Sequence, residues 1–223
     1  MTKRLIMEKI MDSNKNYYLS KMVKEIDSQF QLTPSVKDAL LSVDREEFVP
    51  QAFKHLAYSL DALPLENDQW ISSPLTVAKM TQYLEIDSSC DSVLEIGCGS
   101  GYQAAILSKL VRRVFTIERI NSLLEEARAR FRKLGITNIN SKFDDGQYGW
   151  SMFAPFDRII YSASPNKIPQ TIFNQLADGG ILIAPIEEDG LQTITRFFKQ
   201  NGQISSEMIE VCRFVPIVEG KVF

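Results

Sequence analysis

Val93-Leu94-Glu95-Ile96-Gly97-Cys98-Gly99-Ser100-Gly101-Tyr102 is the stretch that decides the fold. Ser92–Ile96 has the length and apolar character of a short strand, and glycines follow at 97, 99 and 101. Tyr102–Leu110 then has the spacing of a helix. A strand that ends in glycines and passes directly into a helix is the junction at which open α/β sheets bind ligands. Glycine there permits positive φ angles and lets a ligand approach the backbone. Three glycines in five residues are more than a plain tight turn requires.

The same motif narrows the ligand. A dinucleotide fingerprint needs glycine at the first, third and sixth positions, but the sixth position from Gly97 is Tyr102. A phosphate loop needs Lys followed by Ser or Thr, and the run contains neither. Alternate glycines behind an acidic residue, Glu95, instead resemble the first motif of class I S-adenosylmethionine methyltransferases. That cofactor carries no phosphate, so no lysine is required, and the resemblance places Glu95 near its methionine ammonium end.

Moving outward, strands and helices alternate. Val114–Glu118 predicts a second strand and Ile120–Leu134 a second helix, ended by Gly135. Asn138–Phe143 and Asp157–Ser162 predict the third and fourth strands. Ile168–Ala177 predicts a helix closed by Gly179-Gly180, before a strand at Ile181–Ile186. Alternation of this kind implies a doubly wound, mostly parallel sheet covered on both faces, a Rossmann-like arrangement. Gln192–Lys199 and Glu207–Val215 predict antiparallel C-terminal strands around the turn Asn201-Gly202. The N-terminal third predicts short helices. Thr33-Pro34 and Ser73-Pro74 are helix starts, and Val77, Met80 and Leu84 supply an apolar stripe. Asp61–Trp70 is read as a loop. The expected organisation is one methyltransferase domain, residues 1–223: a helical N-terminal region with a substrate loop over 1–90 and a cofactor-binding α/β core over 91–223.

Two acids stand at successive strand ends. Glu118, about twenty residues past the glycine loop, is placed to accept hydrogen bonds from both ribose hydroxyls. Asp145, before Gly146, resembles the adenine-contacting position of the methyltransferases, where a carboxylate accepts from the amino group. Asp144 competes for that assignment. The expected cofactor set is Glu95, Gly97, Gly99, Gly101, Glu118, Asp145 and Gly146.

Composition agrees with an ordinary globular protein. Of 223 residues, 44% are hydrophobic and 24% charged, and the net charge of −3 gives no broad attraction to nucleic acid. Cys90, Cys98 and Cys212 are odd in number and widely spaced, which predicts neither a disulfide framework nor a zinc site. No metal ligands are assigned. With no run of membrane-spanning length, the expectation is a cytoplasmic protein without a membrane partner.

Over most of its length the chain resembles protein-L-isoaspartate O-methyltransferases. The resemblance runs through Asp44-Arg45-Glu46-Glu47-Phe48-Val49-Pro50, Ala57-Tyr58, Ile71-Ser72, Glu95–Ala105, Glu118-Arg119-Ile120, Asp145-Gly146, Gly149-Trp150, Ala154-Pro155-Phe156-Asp157 and Phe214-Val215-Pro216. The Arg-Glu-Glu-Phe-Val-Pro run and the Gln-x-Ile-Ser element are the family-specific parts. The resemblance implies methylation of the α-carboxylate of isoaspartyl residues in damaged proteins or peptides, with S-adenosyl-L-methionine converted to S-adenosyl-L-homocysteine. The ester then closes spontaneously to a succinimide, whose hydrolysis restores some aspartate. It implies Ser72 as the catalytic serine that orients the substrate carboxylate, with Trp70 and Ile71 beside it in the substrate site. A carboxylate is already ionised near neutral pH, so no strong base is needed, and the lone histidine, His55, is expected to be structural or exposed. The family's Gly-x-Gly-Gln-Thr-Ile-Ser run is altered here to Glu66-Asn67-Asp68-Gln69-Trp70-Ile71-Ser72. The residues leave open a carboxyl methyltransferase for another peptide carboxylate, or a non-catalytic cofactor-binding adaptor.

Overall fold

The structure, a computed structural model, describes residues 3–223, with side chains from residue 15 onward. The N-terminal third opens on one long helix, α1 (Lys3–Gln29), in place of the short helices expected. Its 27 residues include no Gly or Pro, so nothing interrupts the backbone ladder. Leu19, Met22, Val23 and Ile26 are buried along one face. Helix α2 (Pro34–Leu41) begins at the predicted proline. The Thr33 hydroxyl does not cap it but donates to the Gln82 side chain at 3.0 Å.

The stretch read as a loop holds a small antiparallel ribbon, β1 (Leu63–Pro64) against β2 (Trp70–Ile71). Asn67 and Asp68 make its turn at φ 57° and 55°, the left-handed region that Asn and Asp tolerate better than other side chains. Helix α3 (Pro74–Tyr83) follows, and the Ser73 hydroxyl caps it by accepting from the Thr76 amide at 3.0 Å.

The α/β part then runs β3 (Ser92–Ile96), α4 (Tyr102–Leu107), β4 (Arg113–Glu118), α5 (Asn121–Lys133), β5 (Ile139–Phe143), β6 (Phe156–Tyr161), α6 (Gln170–Gln175), β7 (Leu176–Glu188), β8 (Leu191–Gln200) and β9 (Gln203–Cys212). The seven-stranded sheet has the order β5-β4-β3-β6-β7-β8-β9. Its first five strands are parallel and β8 and β9 run antiparallel. The chain moves outward from β3 to β5 and returns beside β3 as β6, which makes the β3/β6 boundary the topological switch point.

Several boundaries differ from the sequence reading. Helix α4 stops at Leu107, short of Leu110. Helix α6 ends at Gln175, and Gly179-Gly180 lie inside β7 instead of closing a helix. Leu176 already pairs with Phe156, and the register shifts before Arg158 pairs with Ile181; Gly179, at φ 78°, accommodates that irregularity. Strand β9 begins at Gln203, because the two-residue turn Asn201-Gly202 has both φ angles positive, 52° and 75°, and pairing resumes at once between Gln200 and Gln203. The chain leaves the sheet before Phe214, whose amide donates to the Gln192 side chain at 2.6 Å.

Both sheet faces are covered. Val93, Val114, Ile160 and Ile183 pack with Met22, Ile26, Leu40 and Met80 from the N-terminal helices. Leu94, Phe115, Ile159 and Leu182 pack with Phe156, Ile168 and Ile172 on the other side. This is why β3 is buried at every position and reads as a continuous apolar run. Among the described residues, no helix is long and apolar enough to cross a membrane.

Candidate active site

A cavity opens where four parallel strands end. Gly97–Ser100 after β3, Glu118–Ile120 after β4, Asp145-Gly146 after β5 and Ser162-Ala163 after β6 all line it. The open side is walled by Gln69–Ser72 from the ribbon and by Phe214–Val218. The sequence reading placed cofactor residues at the ends of the first three strands; the switch point adds Ser162-Ala163 after β6.

Glu95 lies at the floor, fully buried. Its carboxylate accepts from the Thr116 hydroxyl at 2.5 Å and the Ser162 hydroxyl at 3.1 Å. Burial pushes its pKa up to about 8, against the pull of those two hydroxyls and with the Glu118 charge adding to the rise. Glu118 is 5% exposed. One of its oxygens accepts from the Gly99 amide at 2.8 Å and the other from the Ile120 amide at 3.0 Å, which leaves lone pairs on both for further donors.

The three glycines divide in role. Gly97 and Gly99 line the cavity at φ 96° and 52°. Gly101 does not line it, contrary to expectation. A Cβ there would stand 2.7 Å from the Phe131 ring and 3.2 Å from the Ala127 Cβ. Gly101 is therefore small so that α4 can start close against α5, at a φ of 88°. Gly146 does line the cavity, and a Cβ on it would collide with Ile96 Cγ2.

Of the two neighbouring acids, Asp145 faces the cavity. Its carboxylate accepts from the Gln147 amide at 3.0 Å and the Gly220 amide at 2.7 Å. Asp144 pairs with Lys142 at 2.6 Å, which holds its carboxyl below the usual range, and with Lys221 at 3.6 Å.

Trp70, Ile71 and Ser72 line the same cavity. Trp70 and Ser72 also line a second cleft, which adjoins it and is completed by Ser73, Thr76, Arg213, Phe214 and Val215. Trp70 is 53% exposed, as befits a residue at a mouth. Glu66 and Asp68 are exposed and line neither space, so their charges do not face an acceptor in the cleft. His55 is exposed and outside both.

The sequence reading missed Thr116, Ser162 and the wall Phe214–Val218. Ser162 had a signal, its place at the end of the fourth strand. Thr116 had none, because one polar residue inside an apolar strand looks alike whether or not it donates to a buried acid. Phe214-Val215-Pro216 matched the family, but nothing local placed it against the cavity.

In chemical terms, the acidic side chains of Glu95, Glu118 and Asp145 surround a cavity whose one basic lining residue, Arg119, spends its Nε on the Gly220 carbonyl at 2.9 Å. That set of acceptors fits a cationic ligand with a ribose and no phosphate, such as S-adenosylmethionine.

Known proteins place the chain independently. The sequence profile of the protein-L-isoaspartate(D-aspartate) O-methyltransferase family matches residues 17–222. A protein-L-isoaspartate O-methyltransferase of Helicobacter pylori is 56% identical over 211 residues, covering 94% of this chain and 99% of the relative. One from Vibrio cholerae is 43% identical over 200 residues, covering 90% and 95%. The fold matches that of a Plasmodium falciparum protein-L-isoaspartate O-methyltransferase solved in complex with S-adenosyl-L-homocysteine, with a TM-score of 0.81, 21% identity and coverage of 90% and 98%. The motif at the end of β3, the strand order around it and this similarity along nearly the whole sequence agree: the chain belongs to the protein-L-isoaspartate(D-aspartate) O-methyltransferase family.

Proposed function

We propose that the protein methylates the α-carboxylate of isoaspartyl residues in damaged proteins, using S-adenosyl-L-methionine, and so begins their repair. The observation that carries this is the joining of two spaces. A cavity suited to the cofactor opens beside a cleft that holds Ser72, and Trp70 and Ser72 line both.

When bound, the cofactor supplies a methyl group on a positively charged sulfur. Glu118 receives the ribose hydroxyls on its remaining lone pairs, Asp145 and Gly146 take the adenine end, and Gly97 and Gly99 admit the ligand close to the backbone. Glu95, held by burial in its neutral form up to about pH 8, is drawn toward the carboxylate when a positively charged methionine end stands beside it. The acceptor is a carboxylate, already ionised near neutral pH, so the chain has no proton to remove. Its task is to align one carboxylate oxygen and to exclude water. The Ser72 hydroxyl orients that carboxylate, while Trp70 and Ile71 shape the wall around it. The partner is an isoaspartyl segment of a protein or peptide, with neither nucleic acid nor membrane involved. A cytoplasmic setting is in keeping with three free cysteines, two of them buried.

Specificity follows from geometry. An isoaspartyl link puts an extra methylene in the main chain and leaves a free α-carboxylate beside it. An aspartyl side chain holds its carboxylate at another distance and direction. A misplacement of about 1 Å can cost roughly a hundredfold in rate. Methyl incorporation into an isoaspartyl peptide and its aspartyl twin tests the proposal: only the first should be labelled. Equal labelling would make the protein a broader carboxyl methyltransferase, and tight cofactor binding with no labelling of either would make it an adaptor.

A further inference from the structure

The family-specific run Asp44–Pro50 supplies no residue to either cavity, yet it contains a charged side chain with no exposure at all. Arg45 is 0% exposed. Its guanidinium faces no carboxylate within ion-pair distance among the described residues; its partners are backbone carbonyls. Nη1 donates to the Ala57 carbonyl at 2.8 Å, and Nη2 to the carbonyls of Asp61 at 3.2 Å and Ser72 at 2.9 Å. The guanidinium carbon stands 5.7 Å from the centre of the Tyr102 ring, and Tyr102 opens α4 directly behind the glycine loop. Nε has no partner.

We infer that Arg45 is a positioning residue for the reaction, acting through Ser72. One planar group ties the acceptor side, at the carbonyl of Ser72, to the cofactor side, at the ring of Tyr102. It also clamps Ala57 and Asp61, which lie ahead of the ribbon that carries Trp70 and Ile71. Burying a cation without a counter-ion is costly, and burial pushes its pKa down to about 10. The cost is tolerable at neutral pH because carbonyl dipoles and the ring face replace water around the charge. A lysine would bring a point charge with rotatable donors, whereas arginine holds its donors in a fixed fork. The turn that presents Arg45 is itself fixed. The Asp44 carboxylate caps it by accepting from the Glu46 amide at 3.0 Å, and also accepts from the Tyr58 hydroxyl at 2.7 Å.

The inference rests on the role proposed for Ser72, so its test is a double-mutant cycle that separates the two. Full-length Arg45→Lys, Ser72→Ala and the double variant are assayed for kcat on an isoaspartyl peptide, and for S-adenosyl-L-homocysteine affinity by calorimetry, well below their melting temperatures. Arg45→Lys should lose roughly ten- to a hundredfold in kcat, with cofactor affinity within about twofold of the parent. On the Ser72→Ala background the same change should cost less than about twofold, since the hydroxyl it positions is gone. If lysine is not accommodated, Arg45→Met, apolar and similar in length, enters the same cycle. Losses that multiply independently, or cofactor affinity falling in step with kcat, would overturn the inference and leave Arg45 a purely structural residue. Unchanged kcat in Ser72→Ala would sink the assignment of Ser72, and this inference with it.

Discussion

The Glu118 carboxylate accepts a hydrogen bond from the Gly99 amide at 2.8 Å, joining the end of β4 to the middle of the glycine loop. The acid proposed to bind the ribose thus also fixes the loop it works beside. Glu118→Ala removes the ribose acceptor and releases the amides of Gly99 and Ile120. Each charge-assisted bond contributes about 1.5–3 kcal/mol, so S-adenosyl-L-homocysteine should bind at least tenfold more weakly, as read by titration calorimetry. Unchanged affinity in a folded Glu118→Ala variant would remove the residue from the cofactor site.

Glu95 gives a prediction in pH. Its carboxyl is held near 8 in the folded protein, against an ordinary value of 4.5. Between these values the folded state keeps a proton that the unfolded chain releases. Stability contributed by the neutral acid is therefore full below about 4.5 and is lost as pH rises toward 8. Glu95→Gln, which cannot ionise, should flatten that part of the profile. Urea midpoints at intervals across this range, for parent and variant, measure the difference. Parallel profiles would show that Glu95 is ionised throughout.

Gly101 separates a packing glycine from a cavity glycine. Gly101→Ala forces a side chain into left-handed backbone and against Phe131, at a cost of about 1–3 kcal/mol. At roughly 2–4 °C per kcal/mol for a chain of this size, thermal unfolding should show a clear drop. An unchanged melting temperature would mean that α5 moves aside freely.

Trp70 stands at the shared mouth of the two spaces. Trp70→Ala should raise KM for the isoaspartyl peptide about five- to thirtyfold, the equivalent of roughly 1–2 kcal/mol of aromatic packing. Cofactor affinity should stay within about twofold. Lower KM in the variant would show that Trp70 obstructs the acceptor instead of holding it.

Much of this architecture is legible in the sequence, and the reasons are local. Ser92–Ile96 is apolar because both faces of β3 are covered, and the glycines mark its end. Asn201-Gly202 fixes its hairpin because few other pairs accept two positive φ angles in succession. What stays hidden is set by distant contacts. The ribbon at Leu63 and Trp70 is two residues per strand, too short for alternation to show. The wall at Phe214–Val218 joins the site through long-range bonds: the Ser164 amide donates to the Val215 carbonyl at 2.8 Å, and the Ile217 amide to the Ser164 carbonyl at the same distance. Arg45 looks in sequence like any charged residue at the start of a helical turn; only the fold shows that three carbonyls surround it.

The hairpin turn between β8 and β9 has a chemical side. An Asn-Gly pair is the sequence in which asparagine most readily turns into the lesion this family acts on, because the unhindered glycine nitrogen attacks the side-chain carbonyl and expels ammonia, and water then opens the succinimide so formed. In this turn the Gly202 nitrogen donates to the Asp178 carboxylate at 3.0 Å. Its hydrogen is engaged by an anion, and a neighbouring negative charge disfavours the deprotonated nitrogen that would make the attack. A carboxylate from the start of β7 thus ties down the one nitrogen on which that chemistry at Asn201 would depend.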